Sequence, residues 1–337
     1  MRLCKFFLTA VLLAATAPSQ AEWLNREEAI MGTAVRAEVW HENRAAREAA
    51  IAAVMEEMRR IDATMSPYKP ESDLSHINQR AASEPVKISP EMYGLIARSL
   101  EVSKLTEGAF DITFSSVGYM YDYRKGVAPS DVEITKALPG INYRHVLLDP
   151  KTSTIRFARA GVRIDLGGIA KGHAVDRCID ILKHRGITSA LVSAGGDTRV
   201  LGDHHGRPWM VAIRDPRRRD GMVAVLPLAD TAISTSGDYE RYFEAGGKRY
   251  HHILNPKTGK SATGVRSVSI IASDATTTDG LSTSVFVMGR ARGMALVERL
   301  KNVDAIIVDD SGKMYYSSRL QQATPAAAPS RLVTPNN

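Results

Sequence analysis

Cysteine is nearly absent from this 337-residue chain: there are two, and one of them, Cys4, lies in the first few residues. Cys178 is then left without a partner, so no disulfide framework can staple the fold. Within HAVDRCIDIL it reads as a buried core thiol on a helix, with Arg177 as its one visible cationic neighbour. Beyond the N-terminus no stretch approaches the ~20 apolar residues that a membrane-spanning helix needs, so no stable membrane insertion is expected. No internal repeat is visible. Aromatic residues make up only 6% of the chain, and the basic residues are scattered without aromatics between them, which argues against nucleic acid as a partner. The densest basic run, RDPRRRD at 214–220, contains a proline and is flanked by acids, as a solvated loop would be.

What is present begins with MRLCKFFLTAVLLAATAPSQA. Arg2 and Lys5 precede an apolar run, and Ser19-Gln20-Ala21 offers a small-residue cleavage site, the layout of a secretory signal peptide. Residues 1–21 are therefore expected to direct export, with a periplasmic destination. Their removal takes away two positive charges and no negative one, so the net charge of +7 becomes +5. At the other end QQATPAAAPSRLVTPNN has too few large apolar groups to offset the entropy of ordering, which predicts a folded domain over 22–319 and a disordered tail over 320–337.

Between these ends, EEAIMGTAVRAEVW reads as an opening strand. RAAREAAIAAVMEEMRRIDATM follows with Ile51, Val54, Met55, Met58, Ile61 and Met65 at helical spacing. Ser89-Pro90-Glu91 supplies an N-cap, a first-position proline and a first-turn acid for a helix running to about Lys104. GAFDITF reads as a turn entering a strand, VRIDL as a strand, and DLGGIAKGHAVDRCIDILKHRG as a glycine-rich turn feeding a helix closed by Gly186. KRYHHILNPKTGKSA reads as a hairpin about a Pro-Lys-Thr-Gly turn. Strands outnumber helices and many adjoin through turns, which predicts an α+β fold, one mixed domain of antiparallel sheets with flanking helices.

Three constellations carry chemistry. In DATTTDGLSTSVFVMG, Asp279 and Thr283 stand four residues apart on one helix face, a carboxylate and a hydroxyl suited to a hard cation. The same crowd of oxygen also suits helix capping, and spacing alone leaves both readings open. DLGGIAKG places Gly167, Gly168 and Gly172 at a helix start beside Lys171, a favourable place for phosphate, although it is neither a Walker A loop nor a dinucleotide fingerprint. AGGD at 194–197 ends another strand and either lines the same cleft or makes a bulge. HHILNP offers His251 and His252, of which alternation allows one to face a cleft.

DLGGIAKGHAVD, STSGDYERYF, HHILNPKTG and TTTDGLSTSVFVMG, in this order, resemble the ApbE-like FAD:protein FMN transferases. MGT at 31–33, SPYKPESDLSHIN at 66–78 and GAFDIT at 108–113 extend the resemblance over residues 28–315. It implies the flavin-transferase fold and a Mg²⁺-dependent transfer of FMN from FAD to a Thr or Ser hydroxyl of another protein, forming a phosphoester bond and releasing AMP. On this resemblance Mg²⁺ is held by Asp279, Thr283 and the carbonyl of Ala170. Met31, Tyr68, Ala109, Phe110, Asp111, Asp165 and Lys171 line the FAD site, and His252 takes the hydroxyl proton with Asp279 as a competing acceptor. The implied acceptor is an exported domain of a membrane redox protein. His173, Gly280 and the SAGGD turn depart from the commoner family residues without removing a ligand. A Mg²⁺-dependent FAD pyrophosphatase that uses water as acceptor, and a periplasmic FAD-binding protein with little turnover, are the alternatives.

Overall fold

The structure is a computed structural model that describes residues 22–218 and 221–323. Residues 1–21, including the expected leader, lie outside the described residues, as do residues 219, 220 and 324–337. The expected boundary near Arg319 falls within a short helix, Ser318–Ala323.

Strands β1 (Glu22–Ile30) and β2 (Thr33–His41) precede helices α1 (Arg44–Met65) and α2 (Asp73–Arg80), the short strand β3 (Val86–Lys87) and α3 (Pro90–Leu105). The helical turns α4 (Ser115–Gly118) and α5 (Asp131–Ala137) lead to β4 (Val146–Asp149) and β5 (Thr154–Phe157). Helix α6 (Ala170–His184) is followed by β6 (Ser189–Ala194), β7 (Asp197–Leu201), β8 (Trp209–Arg214), β9 (Met222–Leu228) and β10 (Ala232–Gly237). After β11 (Tyr242–Ala245), β12 (Lys248–His251), β13 (Leu254–Asn255), β14 (Lys260–Ser261) and β15 (Val265–Ala272) comes α7 (Ala275–Arg299). The described fold ends with β16 (Asp304–Asp309), β17 (Met314–Tyr316) and the helix at Ser318.

The architecture is α+β, as the sequence predicts. Eight strands form one sheet in the order β1-β2-β6-β7-β10-β15-β16-β17, and every neighbouring pair is antiparallel. One face carries α1, α6 and α7. Ile51, Val54, Met55, Met58 and Ile61 of α1 pack with Ala174, Val175, Cys178 and Ile179 of α6 in the main core, so the apolar stripe and Cys178 are core. The other face of the sheet is covered by the β8–β9 ribbon through Trp209, Ile213, Leu228 and Ile233. Alternation along β10 sends Ile233 to the ribbon and Ser234 to α7, where Ser234 Oγ and Thr278 Oγ1 lie 2.7 Å apart.

Three sequence expectations are corrected. EEAIMGTAVRAEVW is not one strand but the turn of a hairpin, because Met31 (φ 55°) and Gly32 (φ 70°) both take the left-handed conformation that a tight two-residue connection requires. GAFDITF does not enter a strand. Asp111 Oδ1 accepts from Thr113 N at 2.8 Å and from Thr113 Oγ1 at 2.5 Å, and this capture coils Ile112–Phe114 into a 3₁₀ turn. VRIDL joins no sheet. Its backbone is held largely by side chains: Ser116 Oγ accepts from Arg163 N at 3.0 Å, and the Asn78 amide both accepts from Ile164 N and donates to Ile164 O, while Asp165 N donates to Ile112 O.

Candidate functional site

The site forms where the start of α6 meets the first turns of α7. The two helices run antiparallel, with Gly168 against Thr283 and Asp176 against Ala275 and Thr276, and glycine allows them to meet: a Cβ on Gly172 would lie 2.1 Å from the Ala275 carbonyl oxygen and 2.8 Å from Asp279 Cβ. Helix α6 has no side-chain cap of its own at Ile169. Asp279 of α7 supplies one, with Oδ2 accepting from Gly172 N at 3.0 Å.

The oxygen-rich start of α7 divides between two tasks. Asp274 caps it by accepting from Thr277 N. Asp176 of α6 accepts from Ala275 N, Thr276 N and Thr276 Oγ1 and is anchored by Arg199. Thr278 and Ser282 pack on Ser234 and Ser236 of β10. Capping and sheet packing thus account for most of these groups, and Asp279 and Thr283 are what remain for a cleft. Thr283 Oγ1 is 3.3 Å from Ser236 Oγ, and the Gly168 backbone presses against it: a Cβ there would meet Thr283 Oγ1 at 3.4 Å and Phe110 Cε2 at 3.2 Å. Ala170, the first residue of α6, is buried and its carbonyl points into the helix, where intrahelical bonding begins. Gly168, before the helix, is the backbone that the structure sets beside Thr283.

Lys171 stands between two carboxylates, with Nζ 2.6 Å from Asp197 Oδ2 and 3.5 Å from Asp279 Oδ2. Asp197 comes from the AGGD turn, so that turn lines the cleft; Gly195 N donates to Ala34 O, and a Cβ on Gly195 would lie 2.8 Å from Thr33 Oγ1. These contacts bring the Met31–Thr33 turn to the same end of the sheet. Burial opposes the charge on Lys171, but Asp197 and Asp279 more than offset it and raise its pKa. One cation does not satisfy two buried acids. Burial, and then repulsion from Asp197, push the Asp279 carboxyl up to about 7 against the opposing Lys171 and Gly172 N–H. Such a pocket of under-compensated negative charge with hydroxyl and carbonyl oxygen nearby fits a hard divalent cation. Among the described residues no three His, Cys, Asp or Glu side chains gather as a metal cage, so a cation here would draw on Asp279, Thr283 and backbone oxygen.

His252 lies in the bend after β12, not on the strand, and its N–H donates to Arg241 O at 3.1 Å. Burial first, and then Arg241, His251 and Lys171, pull its pKa down to about 3, which keeps the imidazole neutral. Its Nδ1 has no hydrogen-bond partner among the described residues. His251 is a core residue, 4% exposed, with Nε2 2.8 Å from Ala262 O and its ring edge-on to Phe286 at 5.6 Å. His251 is thus a core side chain, and a bend, not strand alternation, separates it from His252.

Of the other expected site residues, Asp165 turns Oδ1 back to accept from Gly167 N at 2.7 Å, shaping the glycine turn, and its pKa is raised by burial. Tyr68 is 79% exposed and stands within electrostatic reach of Asp165 and Arg241. Phe110 is buried against Gly168, with Ala109 beside it in the chain. The Asp111 oxygens accept from Thr113 N, Thr113 Oγ1 and Tyr143 N, so the carboxylate braces the loop.

Sequence reasoning missed Arg241 and Asp197. The Arg241 side chain acts on Asp165, Lys171, His252, Tyr68 and Tyr123, and it has no ion pair among the described residues. Its signal was its place within STSGDYERYF. A broad cavity of about 780 Å³ lies elsewhere, lined by Arg60, Glu91, Arg98, His173, Arg177 and Thr276. His173 is two residues from Lys171 and so lies on nearly the opposite face of α6.

The ApbE family profile matches residues 31–307. The FAD:protein FMN transferase of Treponema pallidum is 33% identical over 303 residues, covering 84% of each chain. That of Vibrio cholerae is 36% identical over 272 residues, covering 77% of this chain and 80% of the relative. Among solved structures, an ApbE protein from Thermotoga maritima aligns with a TM-score of 0.83 at 37% identity, over 89% of this chain and 99% of that one. The flavin transferase ApbE from Vibrio cholerae aligns with a TM-score of 0.81 at 30% identity, over 90% and 99%.

Proposed function

On the premise that this chain belongs to the ApbE family and is a flavin transferase, we propose that it carries FMN from FAD to a Ser or Thr hydroxyl of an exported acceptor protein. The observation that carries this reading is Asp279, a buried carboxylate left under-compensated near Thr283, where the start of α6 meets α7.

A divalent cation such as Mg²⁺, held by Asp279, Thr283 and a backbone carbonyl of the turn at 167–170, would supply positive charge to the pyrophosphate. Lys171, the first-turn N–H groups of α6 and the Arg241 guanidinium surround the position for the two phosphates. Phe110 and Tyr68 offer ring surface for flavin or adenine. His252 is neutral and accepts the proton of the incoming hydroxyl, with Asp279 as the competing acceptor. The hydroxyl oxygen bonds to the FMN phosphorus, the pyrophosphate bond breaks and AMP leaves with the electron pair. Substrate phosphates would also counter Arg241 and Lys171, the cations that hold the His252 pKa low, so binding of FAD makes the imidazole a better base.

Residues 1–21 would carry the chain out of the cytoplasm, placing the reaction in the periplasm, where the acceptor is an exported domain of a membrane redox protein. The test is to incubate the mature chain with FAD, Mg²⁺ and such domains and weigh the acceptors intact. The reading requires an FMN adduct on one Ser or Thr and one AMP per adduct. AMP release that proceeds equally without acceptor and leaves no adduct refutes it in favour of hydrolysis.

A further inference from the structure

Beside His252 stands a wall whose charge the proposed chemistry does not use. It consists of the segment Tyr121–Val127 and the β11–β12 hairpin, locked together by rings. Tyr121 Oη donates to Gly259 O at 2.9 Å and Tyr123 Oη to His251 O at 3.4 Å, which ties the wall to the bend that holds His252. Tyr121 stacks on Tyr123 at 5.7 Å, Tyr123 meets Phe243 at 6.2 Å, and Phe243 stacks on Tyr250 at 4.9 Å. Arg124 and Lys248 are exposed on this wall. Neither has an ion pair among the described residues, whereas adjacent Lys125 is tied to Asp122 and Arg249 to Glu244. Lys248 Nζ instead sits 5.0 Å above the Tyr250 ring. Beside Arg241 at the cleft, the wall thus presents two cations without an ion pair among the described residues, over tyrosine-rich surface.

We propose that this wall docks the acceptor protein and recognises an acidic segment flanking the receiving hydroxyl, an inference that rests on the flavin-transfer reading. The hydroxyl must arrive at the His252 side of phosphorus, and the wall borders that approach. Exposed cations with no ion pair among the described residues produce a positive field that steers an acidic partner and fixes its register. Tyrosines give contact area at low entropic cost. Arginine interleaved with aromatics also suits single-stranded nucleic acid, but a polynucleotide offers no protein hydroxyl to the cleft.

The experiment uses the full mature chain loaded with FAD and follows fluorescence anisotropy of three labelled peptides of equal length. Each has one central Thr, flanked by Asp and Glu, by Gln, or by Lys; labelled oligo-dT serves as a fourth probe. Arg124→Gln/Lys248→Gln is compared with Lys183→Gln/Lys301→Gln, which removes the same charge at the opposite end of the sheet. The acidic peptide is expected to bind about tenfold more tightly than the Gln peptide at low salt. The wall variant should lose that preference and the control variant keep it, with FAD affinity unchanged in both. Equal binding of the acidic and Gln peptides, equal losses in the two variants, or tighter binding of oligo-dT overturns the proposal. FMN transfer to an intact acceptor domain is measured in parallel. Its absence from wild-type protein refutes the flavin-transfer reading itself, whereas transfer with an unchanged acceptor KM in the wall variant refutes only the docking surface.

Discussion

On one face of α6, Glu57 and Glu91 meet Arg60, Arg177 and His173; on the other, Lys171 stands alone between Asp197 and Asp279. The first cluster is balanced and partly open to water. Hydrogen bonding from Arg60, then from His173, holds Glu91 down to about 2, so its ionised form is better off in the fold than in water. The second is buried and short of positive charge, and Asp279 rises to about 7. The broad cavity lies with the balanced cluster, whereas the chemistry proposed above is assigned to the unbalanced one. Balanced charges are spent on one another and make structure. A buried charge without sufficient compensation is held at a cost by the rest of the fold and is available to a ligand.

The comparison breaks most visibly at Lys171. Lys171→Met leaves two buried carboxylates without their cation and is expected to cost about 3–5 kcal/mol at pH 7. The loss should shrink toward pH 5 as Asp279 protonates, and FAD binding should fail; denaturant unfolding at both pH values and calorimetry check this. Next in size is His252→Ala, expected to slow transfer by about 10²-fold with little change in FAD affinity. His251→Ala should keep near wild-type turnover while lowering Tm, because it empties a buried site against Phe286; equal kinetic losses from the two histidines would contradict their division.

Glu91→Gln tests the balanced side. Since the folded pKa of Glu91 lies below its ordinary value, its contribution is present above about pH 4.5 and is lost as pH falls toward 2. The variant should therefore unfold at a lower Tm than wild type at pH 7, with the gap closing through that window, while transfer changes by less than about twofold. Smallest is Gly280→Ala. A Cβ there meets Val102 at 3.6 Å and Ile169 at 3.7 Å, ordinary contact distances, so alanine fits and should stabilise α7 by up to about 1 kcal/mol. A lower Tm would mean that the helix needs glycine for another reason.

Periodic and capped elements were legible in the sequence. The apolar stripe of α1, the Ser89 cap of α3 and the Gly186 stop of α6, which takes φ 76°, all appear as read. The failures share a physical cause: in GAFDITF and VRIDL, side chains of Asp111, Ser116 and Asn78 satisfy backbone groups that a strand would have paired, and two of these three are distant in sequence. Within the proposed site, Asp279, Thr283 and His252 were candidates through the family resemblance, since helical spacing alone left capping and cation binding both open and the paired histidines alone chose neither ring. Asp197 and Arg241 were not, because their role depends on a glycine turn and a loop being brought beside α6 by the strand order β2-β6-β7-β10. The same dependence explains Asp111, whose contacts with Thr113 and Tyr143 no spacing rule announces.

The central claim is that Asp279 is kept charged and buried for the reaction at the expense of the fold. Its raised pKa means that its favourable share of stability is present at low pH and lost as pH rises through about 7. The decisive measurement is the Tm of wild type and Asp279→Asn with EDTA at pH 5 and pH 8, alongside FMN transfer with Mg²⁺. The account requires the variant to melt at least about 2 °C above wild type at pH 8, with little difference at pH 5, and to form no acceptor adduct. A variant that melts lower at pH 8, or that still transfers FMN at the wild-type rate, would contradict it.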